Sequence, residues 1–333
     1  MRACLVVTVR DEAPYILEWV AYHRVIGFTD IIVFQNDSTD FTHQILRQLQ
    51  ATGAIAYRYN SAVRGRHQVR AYKRATKLEE YLSSDWIMAL DIDEFLHIRV
   101  GRGHLTDLVA TAGDADQILV NWKRFGSGTQ LRIIGGLVTR RFVLAEWCEP
   151  ITTELRPFKT LFRRKAFDRP GIHKARRFRD SYEPRAVNGS GLPETEFDIL
   201  NFRSTDPGIY AHAQINHYAI RDPQSFVLKS LRGSAHQADR EIGEKYWCRN
   251  DVADVIDRGL ADLSTLIEAE MDRLDAVAGG RLRTLTRKAV RLHMRRFAEA
   301  IQDPGTLALY EACRAHQAVR IGHSDAGTHR EGM

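Results

Sequence analysis

The sequence predicts an α/β fold: a mostly parallel sheet flanked by helices, with a helical C-terminal extension. Three observations lead there. Apolar, β-branched runs alternate with helical stripes four times between Ala3 and Ile92. The fourth run ends in three carboxylates. From about Ala235 onward the chain is charged and reads as mainly helical. Strand–helix alternation implies right-handed crossovers and parallel pairing.

Ala3–Val9 (ACLVVTV) is an unbroken apolar run, as in strands buried on both faces. Pro14 opens a helix, where its missing N–H costs nothing. Ile16, Val20 and His23 follow at helical spacing, and Gly27 ends the helix. Residues 31–34 (IIVF) form the second strand. Ser38 or Thr39 caps a helix carrying Ile45, Leu46 and Leu49, stopped by Gly53. Residues 54–59 are the third strand, and Ala71, Ala75, Leu78 and Leu82 mark one further helical stripe. Residues 86–92 (WIMALDI) are the fourth strand and 117–122 the fifth. Later, 155–164 and 208–218 read as strands, Asp222 and Pro223 cap a helix ending at Gly233, and 281–296 is a basic amphipathic helix. The organisation expected is a catalytic unit over 1–234, a helical region over 235–322 and a disordered polar tail over 323–333.

The bulk composition agrees. In 333 residues, 44% are hydrophobic and 27% charged, an ordinary globular balance for one large domain with an appendage. The net charge of +6 suits an anionic ligand and is too small, without a basic motif, to point to nucleic acid. Cys4, Cys148, Cys248 and Cys313 are far apart and form no CxxC pair, which argues against a zinc site or a disulfide framework. The N-terminal apolar run meets Arg10 and Asp11 too early for a signal peptide, and no stretch approaches the ~20 apolar residues of a membrane span. A cytoplasmic location follows as the expectation. Contact of the basic C-terminal helices with the inner face of a membrane stays open.

The sharpest signal is the strand running into Asp91-Ile92-Asp93-Glu94. Strand side chains alternate, so Asp91 and Asp93 should share one side of the sheet. Close carboxylates repel unless a cation lies between them, and a hard divalent ion takes such oxygens while leaving room for phosphate oxygens. Ligands of parallel sheets bind beyond the carboxyl ends of the strands, so the turns after Val9, Phe34, Tyr59 and Ile92 should share a rim. The simpler alternative is a surface turn capping the next helix.

Four segments then carry a family resemblance: VRDEAPYILEWVAYHRVIGFTDIIVFQNDSTD, WIMALDIDEFL, NWKRFGSG and INHYAIRDPQSFVLKSLRG. Together they resemble glycosyltransferases of the family-2 type with a GT-A (Rossmann-like) fold, and within those the bacterial relatives of family 92. The resemblance implies a nucleotide-sugar donor, UDP-linked, held through Mn²⁺ or Mg²⁺, and a hexosyl-type transfer to a glycan or lipid-linked acceptor in polysaccharide biosynthesis. It implies Asp91 and Asp93 as metal ligands with Glu94 beside them, and His217 as a third ligand, ahead of His173. It implies Thr8, Val9, Arg10 and Glu12 around the base and ribose, with Asn36, Asp37 and Ser38 on the next turn. Ile92 falls within the metal motif, and Arg66 and Gln68 are the residues chosen between the third strand and helix; Lys229, with Arg232 one helical face away, offers a partner for the diphosphate or belongs to a solvated charged face. No base is unambiguous: Glu149, with Glu146 close by, comes nearest in chain order. Trp122 and Phe125 offer flat faces to a sugar, or anchor the core.

Two other classes compete. A nucleotidyltransferase would use the same acids and release pyrophosphate, and a non-catalytic module would bind nucleotide-sugar without turnover. A dehydrogenase or methyltransferase would want a glycine-rich first turn, and VRDEAP is not one.

Overall fold

The computed structural model describes the chain apart from residues 62–66, 148–155, 180, 182, 196–202, 205–209, 234–241, 327–329 and 332–333. A curled α/β sheet with helices on both faces forms its centre. Strand β1 (Ala3–Val9) lies between β2 (Asp30–Gln35) and β4 (Trp86–Ala89), and β3 (Ala56–Tyr59) lies outside β2. All of these neighbours pair in parallel.

Every residue of β1 is buried, because both faces are covered. Leu5, Val7 and Val9 pack with Trp19 and Val20 of helix α1 (Ile16–Val25) and with Ile45, Leu46 and Leu49 of α2 (Thr42–Ala51). Cys4 and Val6 pack with Ala71, Tyr72 and Ala75 of α3 (His67–Ala75). The unbroken apolar run thus has its cause in two separate helical layers.

Beyond β4 the sheet changes direction. Strand Arg156–Arg163 pairs antiparallel with β4 on one side and with β6 (Gln117–Arg124) on the other. Strand Ala213–His217 follows β6 in parallel and pairs antiparallel with β5 (Glu94–Ile98). The fifth predicted strand therefore exists but does not neighbour the fourth.

Several expected boundaries move. The fourth strand ends at Ala89, not Ile92. Leu90 and Ile92 are buried in the main core, so the apolar run continues after strand pairing has stopped, and residues 91–93 turn back into β5. Asp91 and Asp93 consequently sit on a turn rather than on alternate positions of a strand. The stripe from Ala71 to Leu82 is split: a turn and the extended backbone of Leu78 separate α3 from a short helix, Glu79–Leu82. Helix α2 begins at Thr42, and its start is held by Asp40, whose carboxylate accepts from the Thr42 N–H at 2.8 Å, not by Ser38 or Thr39. The final helix runs Pro304–Ala326, past His323.

The C-terminal helices are part of the same packing. Ser264–Val277 lies on α1, and Arg281–Ala300 turns Leu282, Ala289, His293 and Phe297 inward. Among the described residues, no helix is long and apolar enough to cross a membrane.

Burial holds two histidines neutral: it lowers His23 to about 3 and His97 to about 4. Folded values lie below the unfolded ~6.5, so the unfolded chain takes up protons first as pH falls. Stability present above about pH 6.5 is therefore lost down to about pH 4, by up to ~1.4 kcal/mol per pH unit for each histidine. Urea midpoints measured from pH 7.5 to 4.5 should fall steadily; a flat series above pH 5 would contradict this burial.

Candidate functional site

The carboxyl ends of the parallel strands meet on one rim, stitched by side chains. Asp11, in the left-handed region at φ 50, accepts from the N–H groups of Thr39 (2.7 Å) and Asp40 (3.1 Å), and its own N–H donates to Ser38 Oγ at 3.0 Å. That joins the turn after β1 to the turn after β2. Asn60 Nδ2 donates to Asn36 Oδ1 at 2.7 Å, and the Tyr59 hydroxyl donates to Asp37, itself at φ 46, joining β2 to β3. Gln68 at the start of α3 donates to Asp91 Oδ1 at 2.6 Å, joining β3 and its helix to the acid turn. Thr8 and Val9 are buried at the end of β1, and the Val9 carbonyl accepts from Asn36 N–H at 2.9 Å. The turns after β1, β2 and β4 share this rim, and so do Asn60 and Gln68, on either side of the undescribed residues 62–66.

The acid turn is built from both sides. Glu94 N–H bonds to the Asp91 carbonyl at 3.0 Å, closing the turn, and the Trp19 indole of α1 donates to the Glu94 carbonyl at 2.9 Å. Lysines face the carboxylates. Lys159, 1% exposed in the strand Arg156–Arg163, reaches Asp91 Oδ2 at 2.9 Å and Glu94 Oε2 at 3.3 Å. Lys229, on helix Pro223–Arg232, donates to Asp93 Oδ2 at 2.7 Å. Asp222 caps that helix by accepting from Ser225 N–H at 2.9 Å, which fixes where Lys229 points.

The protonation states follow from this pairing. Burial alone would lower the Lys159 ammonium, but Asp91 and Glu94 outweigh it and hold it above the usual lysine range. Burial would raise Asp93, but Lys229 foremost, with His217 and Arg221, holds its carboxyl below the usual range. Glu94 is fully buried, and burial pushes its carboxyl up, reinforced by Asp91 and Asp93 and opposed by Lys159. Its second oxygen has no hydrogen-bond partner. Burial lowers His217 to about 4, so it is neutral at physiological pH.

The expected metal does not fit this arrangement. His217 does come beside the acids: it pairs with Glu94 across the sheet, and the next residue, Tyr218, donates its N–H to the Asp93 carbonyl at 2.8 Å. Its Nδ1 is buried without a partner. Yet Asp91 and Asp93 each already hold an ammonium, from different elements. Among the described residues, no three His, Cys, Asp or Glu side chains gather as a metal site.

Other expected residues fall elsewhere. Glu12 does not face a ligand freely: it is buried between Arg232 at 2.7 Å and Arg221 at 3.3 Å. Ile92 packs in the core and offers only its backbone to a ligand. Phe125 is a core residue, while Trp122 is half-buried and packs against His217, tilted by 39°, with ring centroids 4.3 Å apart. His173 accompanies Trp122 at 5.4 Å and turns its Nδ1 to the Phe158 carbonyl at 3.0 Å. Glu146 is no free base; Arg124 and Arg156 hold it at 2.7 and 3.0 Å. Arg66 and Glu149 lie outside the described residues. Arg10 is exposed and points its guanidinium only loosely at Asp11, 3.9 Å away.

Sequence reading missed Lys159, Arg221, His293 and Arg296. The last two come from helix Arg281–Ala300: His293 pairs with Asp40 at 2.9 Å, and Arg296 donates to the Thr39 carbonyl at 2.8 Å. The signals were present but faint: a lysine inside an apolar strand, and an arginine directly before a helix cap.

Fold and site together define an α/β protein with a polar rim at its parallel strand ends, closed by an acid turn that two lysines neutralise. The sequence profile of glycosyltransferase family 92 matches residues 3–192, and the chain belongs to that family. A family 92 protein of Oryza sativa subsp. japonica is 28% identical over 94 residues, 28% of this chain and 16% of the rice protein. The chain thus spans a small part of that relative's length. Among solved structures, S. aureus TarS 1-349 in complex with UDP-GlcNAc aligns with 99% of this chain and 93% of its own, at 12% identity and TM-score 0.35. A putative glucose-1-phosphate thymidylyltransferase of Bacillus anthracis aligns with 50% of this chain and 72% of its own, at 11% identity and TM-score 0.31.

Removing one partner of a buried ion pair costs about 3–5 kcal/mol. Lys159→Met should therefore destabilise the protein by that order in urea unfolding, and adding Glu94→Gln should recover part of the loss. A Lys159→Met variant as stable as wild type would show that this lysine does not hold the turn.

Proposed function

We propose that the protein transfers a hexosyl group from a nucleotide diphosphate sugar, a UDP-sugar, to a hydroxyl of a glycan or lipid-linked acceptor. The observation that carries the reading is the acid turn Asp91–Glu94 standing on the same rim as Asn36 and Asp37, in a chain of family 92. The base and ribose lie against Thr8, Val9, Arg10, Asn36, Asp37 and Ser38, with Gln68 at the far edge. Asp37, exposed at φ 46, has one carboxylate oxygen engaged by Tyr59, and the other serves the nucleotide.

The diphosphate reaches the acid turn, where charge grows on the leaving oxygen. A preorganised cation meets that charge without reorganising, and Lys229 is the nearest. Asp93 holds Lys229 in place. Glu94 and Lys159 act one step back, as positioning groups, because neither is exposed. No step is routed through a divalent ion; Asp91 and Asp93 are read with their lysine partners. Half-buried Trp122, backed by His217 and His173, receives the acceptor sugar. Glu149 is our choice for the base that takes the acceptor proton. A lipid-linked acceptor at an anionic surface would meet the exposed Arg287, Lys288, Arg291 and Arg295.

A thermal-shift panel of UDP-, GDP- and CDP-sugars, each in EDTA and in Mn²⁺, tests the donor. A UDP-sugar at ~100 times its dissociation constant should add ~3 kcal/mol of apparent stability, and it should do so in EDTA too. No shift with any donor would sink the reading, and a shift seen only with Mn²⁺ would show that the acids release their lysines to an ion. Asp93→Asn should lower turnover by ~100-fold or more, the order seen when one charge-stabilising contact is lost, while circular dichroism shows the fold retained. Unchanged turnover would remove Asp93 from the site.

A further inference from the structure

Arg221 is the most unusual charged residue in the molecule. It is 7% exposed, and its backbone lies in the left-handed region at φ 56, between strand Ala213–His217 and the cap of helix Pro223–Arg232. Its Nη1 meets Glu12 at 3.3 Å, and its guanidinium carbon lies over the Tyr15 ring, 3.6 Å from the centroid. Its Nε and Nη2 are buried and have no hydrogen-bond partner. Buried donors on a charged group are costly to leave unmade, and a strained backbone at such a residue marks a site where geometry serves a purpose.

Arg221 is one of the residues that line a cavity of about 270 Å³. That is several times the ~30 Å³ one water occupies in the liquid. Arg221, Lys229, Arg232 and Arg296 line it against two acids, Asp11 and Glu12, so cations are in excess. All four cations are partly engaged: Arg221 with Glu12, Lys229 with Asp93, Arg232 with Glu12 and with the carbonyls of Arg10 and Asp11, and Arg296 with Thr39. Arg221 alone of these keeps two buried donors side by side on one edge. An edge of that kind matches the paired oxygens of a phosphoryl group. The cavity is roofed by helix Arg281–Ala300 and shares Lys229 with the acid turn.

We propose that this cavity is a binding site for a phosphoryl group, held by Arg221, Arg296 and Lys229. The phosphoryl has two sources with the same chemistry: the diphosphate of the donor, or a phosphate that enters separately. The first rests on the nucleotide-sugar reading; the second does not.

Calorimetry of the full chain at low salt, with inorganic phosphate and with pyrophosphate, tests the site. Arg221→Gln and, on the rim, Arg296→Gln should each weaken binding, the first by about tenfold or more. The rim variant covers the case in which Arg221→Gln does not fold. Phosphate displaced by UDP assigns the site to the donor diphosphate; phosphate and UDP bound together assign it to a separate phosphoryl group. Arginine-dependent phosphate binding with no UDP or UDP-sugar binding keeps the cavity and overturns the donor reading. No phosphate binding, or affinity unchanged in both variants, overturns the site.

Discussion

Three carboxylates within four residues, one buried and two half-buried, are tolerable only because two lysines face them. Lys159 and Lys229 come from elements 68 and 136 residues away from the acids they meet. Each arrives by a specific structural device. Strand Arg156–Arg163 inserts antiparallel between β4 and β6, which delivers Lys159 behind the turn. A helix capped at Asp222 delivers Lys229 in front of it. The sheet's change from parallel to antiparallel pairing after β4 is thus tied to the charge balance of the turn. A carboxylate left alone there would be protonated or would draw the turn apart.

The parallel half of the fold was legible because its cause is local. A strand covered on both faces must be apolar throughout, and residues 3–9 are. The cap at Asp222 and the stop at Gly233 were legible for the same reason. What failed were inferences that a one-dimensional pattern cannot separate. Leu90 and Ile92 stay in the core after strand pairing ends, so hydrophobicity overstated the strand and placed Asp91 and Asp93 on one of its faces. Phe125 and Trp122 look alike as aromatic residues three apart, yet one fills the core and the other is half-buried beside two histidines. Glu146 reads as a spare acid until Arg124 and Arg156 are seen to hold it.

Pairing of charges over long stretches of sequence hides the rest. The acid motif was visible, and a cation between the acids was a sound demand of electrostatics. The sequence could not say that the cations are side chains. Nor could it say that helix Arg281–Ala300 brings His293 and Arg296 down onto the loop after β2. That contact makes the basic C-terminal helix a wall of the cavity around Arg221 as well as a charged outer surface. Residues early, middle and late in the chain therefore converge on one end of the sheet.

The central claim is that the rim between the turn after β1 and the acid turn receives a nucleotide diphosphate. A crystal structure with UDP bound tests this most directly. The base should lie beside Asn36 and Asp37, and the diphosphate within hydrogen-bond reach of Lys229. UDP density elsewhere on the molecule, with Lys229 still closed on Asp93 and the rim filled only by water, would contradict it.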